Sequence, residues 1–129
     1  MAVFLAGETR HTPAYGENAG DSVLRMSDCV QVLTTIDSAD GAERLARTIV
    51  DARLAACVQV VGPIRSVYRW QGAVQAEQEW QCLAKTTAER LDALVAHVKG
   101  NHPYEVPEII ATPIVGGSAE YLDWVAEQV

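Results

Sequence analysis

Two alternating segments on either side of Gln71–Gly72 constrain the fold of this chain more than any other feature. Ile64–Arg65–Ser66–Val67–Tyr68–Arg69–Trp70 alternates with period two, and Glu77–Gln78–Glu79–Trp80–Gln81–Cys82–Leu83–Ala84–Lys85 alternates again. Successive side chains of a strand point to opposite faces, so the pattern predicts a long antiparallel hairpin turning at Gln71–Gly72. A lone hairpin is marginal in water, which means the rest of the chain must supply further strands and cover.

The flanking segments supply both. Cys29–Thr35 is a β-branched run of strand length. Ser38 offers a cap to a helix with Ala42, Leu45, Ala46, Ile49 and Val50 at helical spacing, ending near Arg53. Leu54–Val61 reads as a buried strand, interrupted at Pro63 by a bulge or bend. After the hairpin, Thr86–x–x–Glu89 matches a capping box opening a helix with Leu91, Leu94, Val95 and Val98 on one face, closed by Gly100. Glu108–Pro113 reads as a strand, and Gly116–Gly117–Ser118 starts a last helix carrying Tyr121, Leu122, Trp124 and Val125.

The order β-α-β-β-α-β plus a terminal helix predicts an α+β, ferredoxin-like split βαβ sandwich. A four-stranded antiparallel sheet would carry its helices on one face. The other face would then bear parts of Tyr68, Trp70 and Trp80, and a bare aromatic face is most simply covered by further copies of the chain.

One domain is all that 129 residues accommodate. Residues 1–27 show no periodicity and are read as a flexible extension, with the ordered domain running over residues 28–129. The net charge of −7 argues against a nucleic-acid partner, which needs a basic face. Cys29, Cys57 and Cys82 form no CxxC, so neither a zinc ribbon nor a thioredoxin-type motif is present, and reduced thiols in the cytoplasm are expected. No apolar run is long enough to span a membrane, and Val3–Ala6, with no basic residue before it, does not read as a signal peptide.

Chemistry concentrates in His102–Pro103–Tyr104–Glu105–Val106–Pro107–Glu108, where two prolines stiffen a segment holding an imidazole, a phenol and two carboxylates. A copper or zinc site would need His102 joined by further donors, for which Cys57, Glu105 and Glu108 are the candidates. Cys57 in its apolar context also reads as a structural thiol, Cys82 as core or interface packing, and Cys29 as a strand-start residue open to solvent. His97 reads as a surface residue and His11 as incidental to the extension. A nucleophile–base pair of Cys57 and His102 lacks an orienting acid, so no enzyme is expected.

Leu54–Ala55–Ala56–Cys57–Val58, Ser66–Val67–Tyr68–Arg69–Trp70–Gln71–Gly72, Lys85–Thr86, His102–Glu108 and Tyr121–Leu122–x–Trp124 together resemble the CutA divalent-cation tolerance family. The resemblance runs in order across Asp28–Val129. It implies a cytoplasmic, non-enzymatic homotrimer, similar in architecture to the PII signalling proteins, that takes part in the response to copper or other divalent cations. It puts the metal reading on His102. Some family members carry a Cys where this chain has Thr34 and a second His where it has Asn101. A PII-like trimer also implies clefts between subunits, for which Tyr68, Trp70, Lys85 and Tyr104 are candidates, Lys85 offering a cation to an anionic ligand or a docking partner.

Overall fold

The computed structural model of the chain describes residues 28–129; the extension expected over residues 1–27 lies outside the described residues. The β-branched run forms β1 (Cys29–Ile36). Ser38 caps α1 (Ala39–Asp51), its hydroxyl accepting from the Gly41 N–H at 2.9 Å and so satisfying an amide that a helix start leaves without a partner. Beyond α1, Arg53 at φ 59° turns the chain toward β2 (Cys57–Trp70).

β2 and β3 (Ala73–Thr87) make the expected hairpin. Gln71 and Gly72 connect them with φ of 51° and 81°, both left-handed, as a two-residue turn between right-twisted strands requires. A single 3-10 turn at Ala88–Arg90 leads into α2 (Leu91–Gly100). β4 (Ile109–Pro113) and α3 (Ala119–Gln128) complete the described chain, Ser118 capping α3 through the Tyr121 N–H at 3.3 Å.

The strands lie in the order β2-β3-β1-β4, and every neighbouring pair is antiparallel. This is the expected split βαβ arrangement: a four-stranded sheet with three helices. One face of the sheet presents Val30, Val32, Ile36, Cys82 and Ala84 to Ala42, Leu45 and Ile49 of α1 and to Leu91, Leu94 and Val98 of α2. Each large aliphatic side chain buried there stabilises the fold by about 1.5–3 kcal/mol. α3 closes a second, smaller cluster in which Leu122 and Val125 meet Cys29 and Ala56.

Four expectations need correction. Leu54–Ala56 are buried, but the strand begins at Cys57 and stands at the edge of the sheet, so Val60 and Val61 are exposed rather than buried. The bulge expected at Pro63 does occur, as a shift of register between Val61 and Ile64. No capping box forms at Thr86: β1 holds Thr86 in the ladder opposite Val30, β3 runs on to Thr87, and α2 opens without a side-chain cap. Trp80 packs against the helix-covered core and does not share the face of Tyr68 and Trp70. Across the bulge Ile64 pairs with Glu79 and Tyr68 with Gln75, so the odd positions of β3 face the Tyr68 side and Trp80 faces away. Cys29, expected open to solvent, is buried beneath α3.

Candidate functional site

The alternation of the hairpin decides which side chains meet. Ser66, Tyr68 and Trp70 of β2 share a face with Glu77 and Glu79 of β3. The stiff Pro103–Pro107 segment crosses the same end of the sheet and adds Tyr104, Glu105, Val106 and Glu108. Together with Thr35 and Val67 these residues line a cleft of about 500 Å3, within the size range of small-molecule sites. None of the lining residues is a lysine, an arginine or a histidine.

His102 anchors this segment. Its Nδ1 accepts from the Tyr104 N–H at 3.1 Å, and its Nε2 lies 2.7 Å from the Thr35 carbonyl oxygen. An amide only donates and a carbonyl only accepts, so the proton sits on Nε2 and both ring nitrogens are engaged. The ring also meets that of Tyr104 edge-on, with centroids 4.7 Å apart. His102 therefore ties the segment to the end of β1.

Tyr104 in turn donates its phenol proton to Glu79 Oε2 at 2.6 Å. Burial, then the hydrogen bond and charge of Glu79, push the Tyr104 phenol well above its ordinary range. The Tyr68 phenol is also raised, first by burial and then by Glu77 and Glu79. Burial is the larger cause in both, and the nearby carboxylates add to it.

The remaining candidates lie elsewhere. Lys85 pairs across from Cys57, ten residues along β3 from the partner of Tyr68, a separation on the order of 30 Å. Its ammonium donates to Gln59. Within one chain, therefore, Tyr68, Trp70 and Tyr104 meet in a cleft that lacks Lys85 and has four glutamates instead. Cys57 shares a hydrogen bond of 3.3 Å with the Tyr121 hydroxyl, which raises the Tyr121 phenol.

Copper or zinc requires converging imidazole or thiolate donors. His102 has no uncommitted ring nitrogen, Cys57 sits beside α3, and no group of three or more His, Cys, Asp or Glu among the described residues is arranged to hold a metal ion. The described residues of a single chain do not fit such a site. Glu105 and Glu108, the other two candidate donors, face the cleft. In the sequence Glu77 and Glu79 stand only as members of the alternating hairpin segment. The signal for the cleft was their parity with Tyr68 and Trp70, usable once the register of the bulge was known.

His97, read as a surface residue, is half-buried, its Nε2 2.9 Å from Thr48 Oγ1. The Thr48 hydroxyl donates to the Leu45 carbonyl, so it accepts from His97 and pins α2 to α1.

Residues 30–128 match the family model described as "CutA1 divalent ion tolerance protein". A divalent-cation tolerance protein CutA from Thermus thermophilus is 49% identical over 96 residues, covering 74% of this chain and 93% of that protein. "Protein CutA 1, chloroplastic" from Oryza sativa is 47% identical over 96 residues; the match takes in 74% of this chain but only 54% of the rice protein. Among solved structures, CutA from Xylella fastidiosa superposes with a TM-score of 0.77 at 38% identity, covering 79% of this chain and 98% of that one. The family's description speaks of tolerance to divalent ions and names no reaction. With the fold, the motifs and most of the described residues in agreement, the chain belongs to the CutA1 divalent ion tolerance protein family.

Proposed function

We propose that this chain acts in the cytoplasm as a homotrimeric divalent-cation tolerance protein. Its ligand-facing surface is the glutamate-lined cleft, completed where copies meet. The observation that carries the reading is an acidic cleft flanked by exposed apolar side chains. Four carboxylates and three aromatic residues face it, while Val67, Trp70 and Val106 around it are 69%, 46% and 69% exposed. Apolar side chains open to this extent beside an acidic cleft are what a neighbouring copy would cover.

Carboxylates are hard donors, which suit divalent ions that prefer oxygen better than they suit copper. Copper binding through His102 would first require breaking its bond to Thr35 or to Tyr104. Glu105 and Glu108 are the donors we assign to ion capture, with the remainder of the coordination shell coming from a second copy or from water. The anionic-ligand reading has less support, because Lys85 lies far from the glutamates.

Sedimentation velocity combined with titration of Mn(II) and Cu(II) tests this. The expected result is a trimer whose Mn(II) affinity falls in a Glu105→Gln/Glu108→Gln variant and is unchanged in His102→Ala. A monomer at working concentrations, or equal Mn(II) affinity in wild type and the double variant, would sink it.

A further inference from the structure

A second cavity, of about 550 Å3, opens where α1 meets the end of β1 and the Asn101–Pro103 corner, and none of the cleft's four glutamates lines it. Its volume is that of a small-molecule site. Ile36, Leu45 and Pro103 give it apolar surface. Part of its polar lining is already engaged. The Thr48 hydroxyl donates to the Leu45 carbonyl and accepts from His97, and both ring nitrogens of His102 are taken.

Four lining groups are not engaged. The Arg44 guanidinium and the Asp37 carboxylate make no hydrogen bond or ion pair with the described residues, and Asp37 reaches Tyr104 only through its charge. The Ser38 Oγ accepts from Gly41 but its proton has no acceptor among the described residues. Asn101 gives its amide N–H to the His97 carbonyl, while Oδ1 accepts nothing from them. Arg44 stands about 9 Å along the axis of α1 from the Ser38 cap, and Asp37 immediately precedes that cap. Two opposite charges thus line one cavity without pairing.

A plain anion would satisfy Arg44 and be repelled by Asp37; a plain cation would meet the reverse. A metal ion would find one carboxylate, and no group of three donors among the described residues is arranged to hold it. A molecule carrying both charges satisfies both residues. An α-amino acid bears its carboxylate and ammonium on one carbon, and with a hydrogen bond at each end they span a gap of that order. Its carboxylate meets the guanidinium and the Ser38 hydroxyl, and its ammonium meets Asp37 and Asn101 Oδ1. The side chain is left to Ile36, Leu45 and Pro103, so it is apolar.

We propose that this cavity binds a free α-amino acid with an apolar side chain, held between Arg44 and Asp37. The site stands apart from the ion cleft, and neither reading depends on the other.

Isothermal titration of the full chain with L-leucine tests the proposal. Isocaproate, which lacks the ammonium, and isoamylamine, which lacks the carboxylate, serve as counter-probes. Leucine should bind once per chain and at least about tenfold more tightly than either. Arg44→Gln and Asp37→Asn should each weaken leucine at least about tenfold. Both positions are exposed, so unchanged urea midpoints are expected and separate lost binding from lost fold. If a variant loses stability, the two analogues carry the test. Glu43→Gln, outside the cavity, should leave leucine affinity unchanged. Glu105→Gln/Glu108→Gln should leave it unchanged as well, so this proposal and the ion reading fail separately. Absence of leucine binding overturns the proposal, as does either analogue binding as tightly as leucine. So does an unchanged affinity in Arg44→Gln, or an equal loss in Glu43→Gln, which would reduce the effect to general surface charge.

Discussion

Thr86 is wholly buried, yet its hydroxyl oxygen has no hydrogen-bond partner among the described residues, and Thr34 shares that condition. A buried hydroxyl left unsatisfied costs about 1–3 kcal/mol, whereas an apolar group of the same shape costs nothing of the kind. Thr86→Val is therefore expected to raise stability by about 1 kcal/mol, read as a higher urea midpoint at an unchanged slope. A lower midpoint would show that the hydroxyl is satisfied in solution. The same residue shows where single-residue reading stops. Thr86–x–x–Glu89 obeys a local capping rule, but the ladder to β1 claims Thr86 first. His102 behaves alike: its importance was legible from the two prolines around it, its role was not. The carbonyl that fixes its tautomer belongs to Thr35, sixty-seven residues away in sequence.

At the scale of elements, the hairpin was the most legible part of the chain, because a period of two and a two-residue turn leave little choice of pairing. The bulge was legible as a place, at Pro63, but its effect on which face each aromatic residue occupies was not. Trp80 and Trp70 look alike in the sequence; only the register shift between Val61 and Ile64 sends one to the core and the other to the cleft. Gly62 holds that shift in place, since a Cβ there would lie 2.3 Å from Trp80 Cδ1. Gly62→Ala is accordingly expected to cost about 3 kcal/mol and to change the tryptophan fluorescence, as the ring is forced to move. The turn has slack in the opposite sense. Gln71 occupies a left-handed conformation that suits asparagine or glycine better. Gln71→Asn should raise the thermal midpoint, corresponding to about 0.5–1 kcal/mol, without shifting the register; an unchanged midpoint would count against the turn assignment.

For the whole molecule, the buried thiols contribute to the alkaline limit of stability. Burial pushes the Cys82 thiol up to about 11. Cys29 is raised too, first by burial and then by Asp28 and Asp123. A group whose pKa is higher folded than unfolded contributes stability that is complete below the unfolded value, near 9, and is lost as the pH climbs to the folded one. Between about pH 9 and 11 the unfolded chain gives up a proton that the folded chain keeps, so unfolding is favoured. The loss from Cys82 amounts to about 2–3 kcal/mol across that window. The urea midpoint should fall from pH 9 to 11 in the wild type and fall less steeply in Cys82→Ala; parallel curves would show that Cys82 is not buried as described.

The two rims of the sheet are unequal. β2 runs fourteen residues along one and β4 five along the other, and no described strand claims the outer side of β2. A long, flat rim invites neighbour after neighbour, the geometry of a filament. Here Pro63 has no N–H to give, and the offset beside it breaks the row of peptide groups in two. An incoming strand can register with one half or the other but not across both, so the rim carries its own stop against a stack that grows without end.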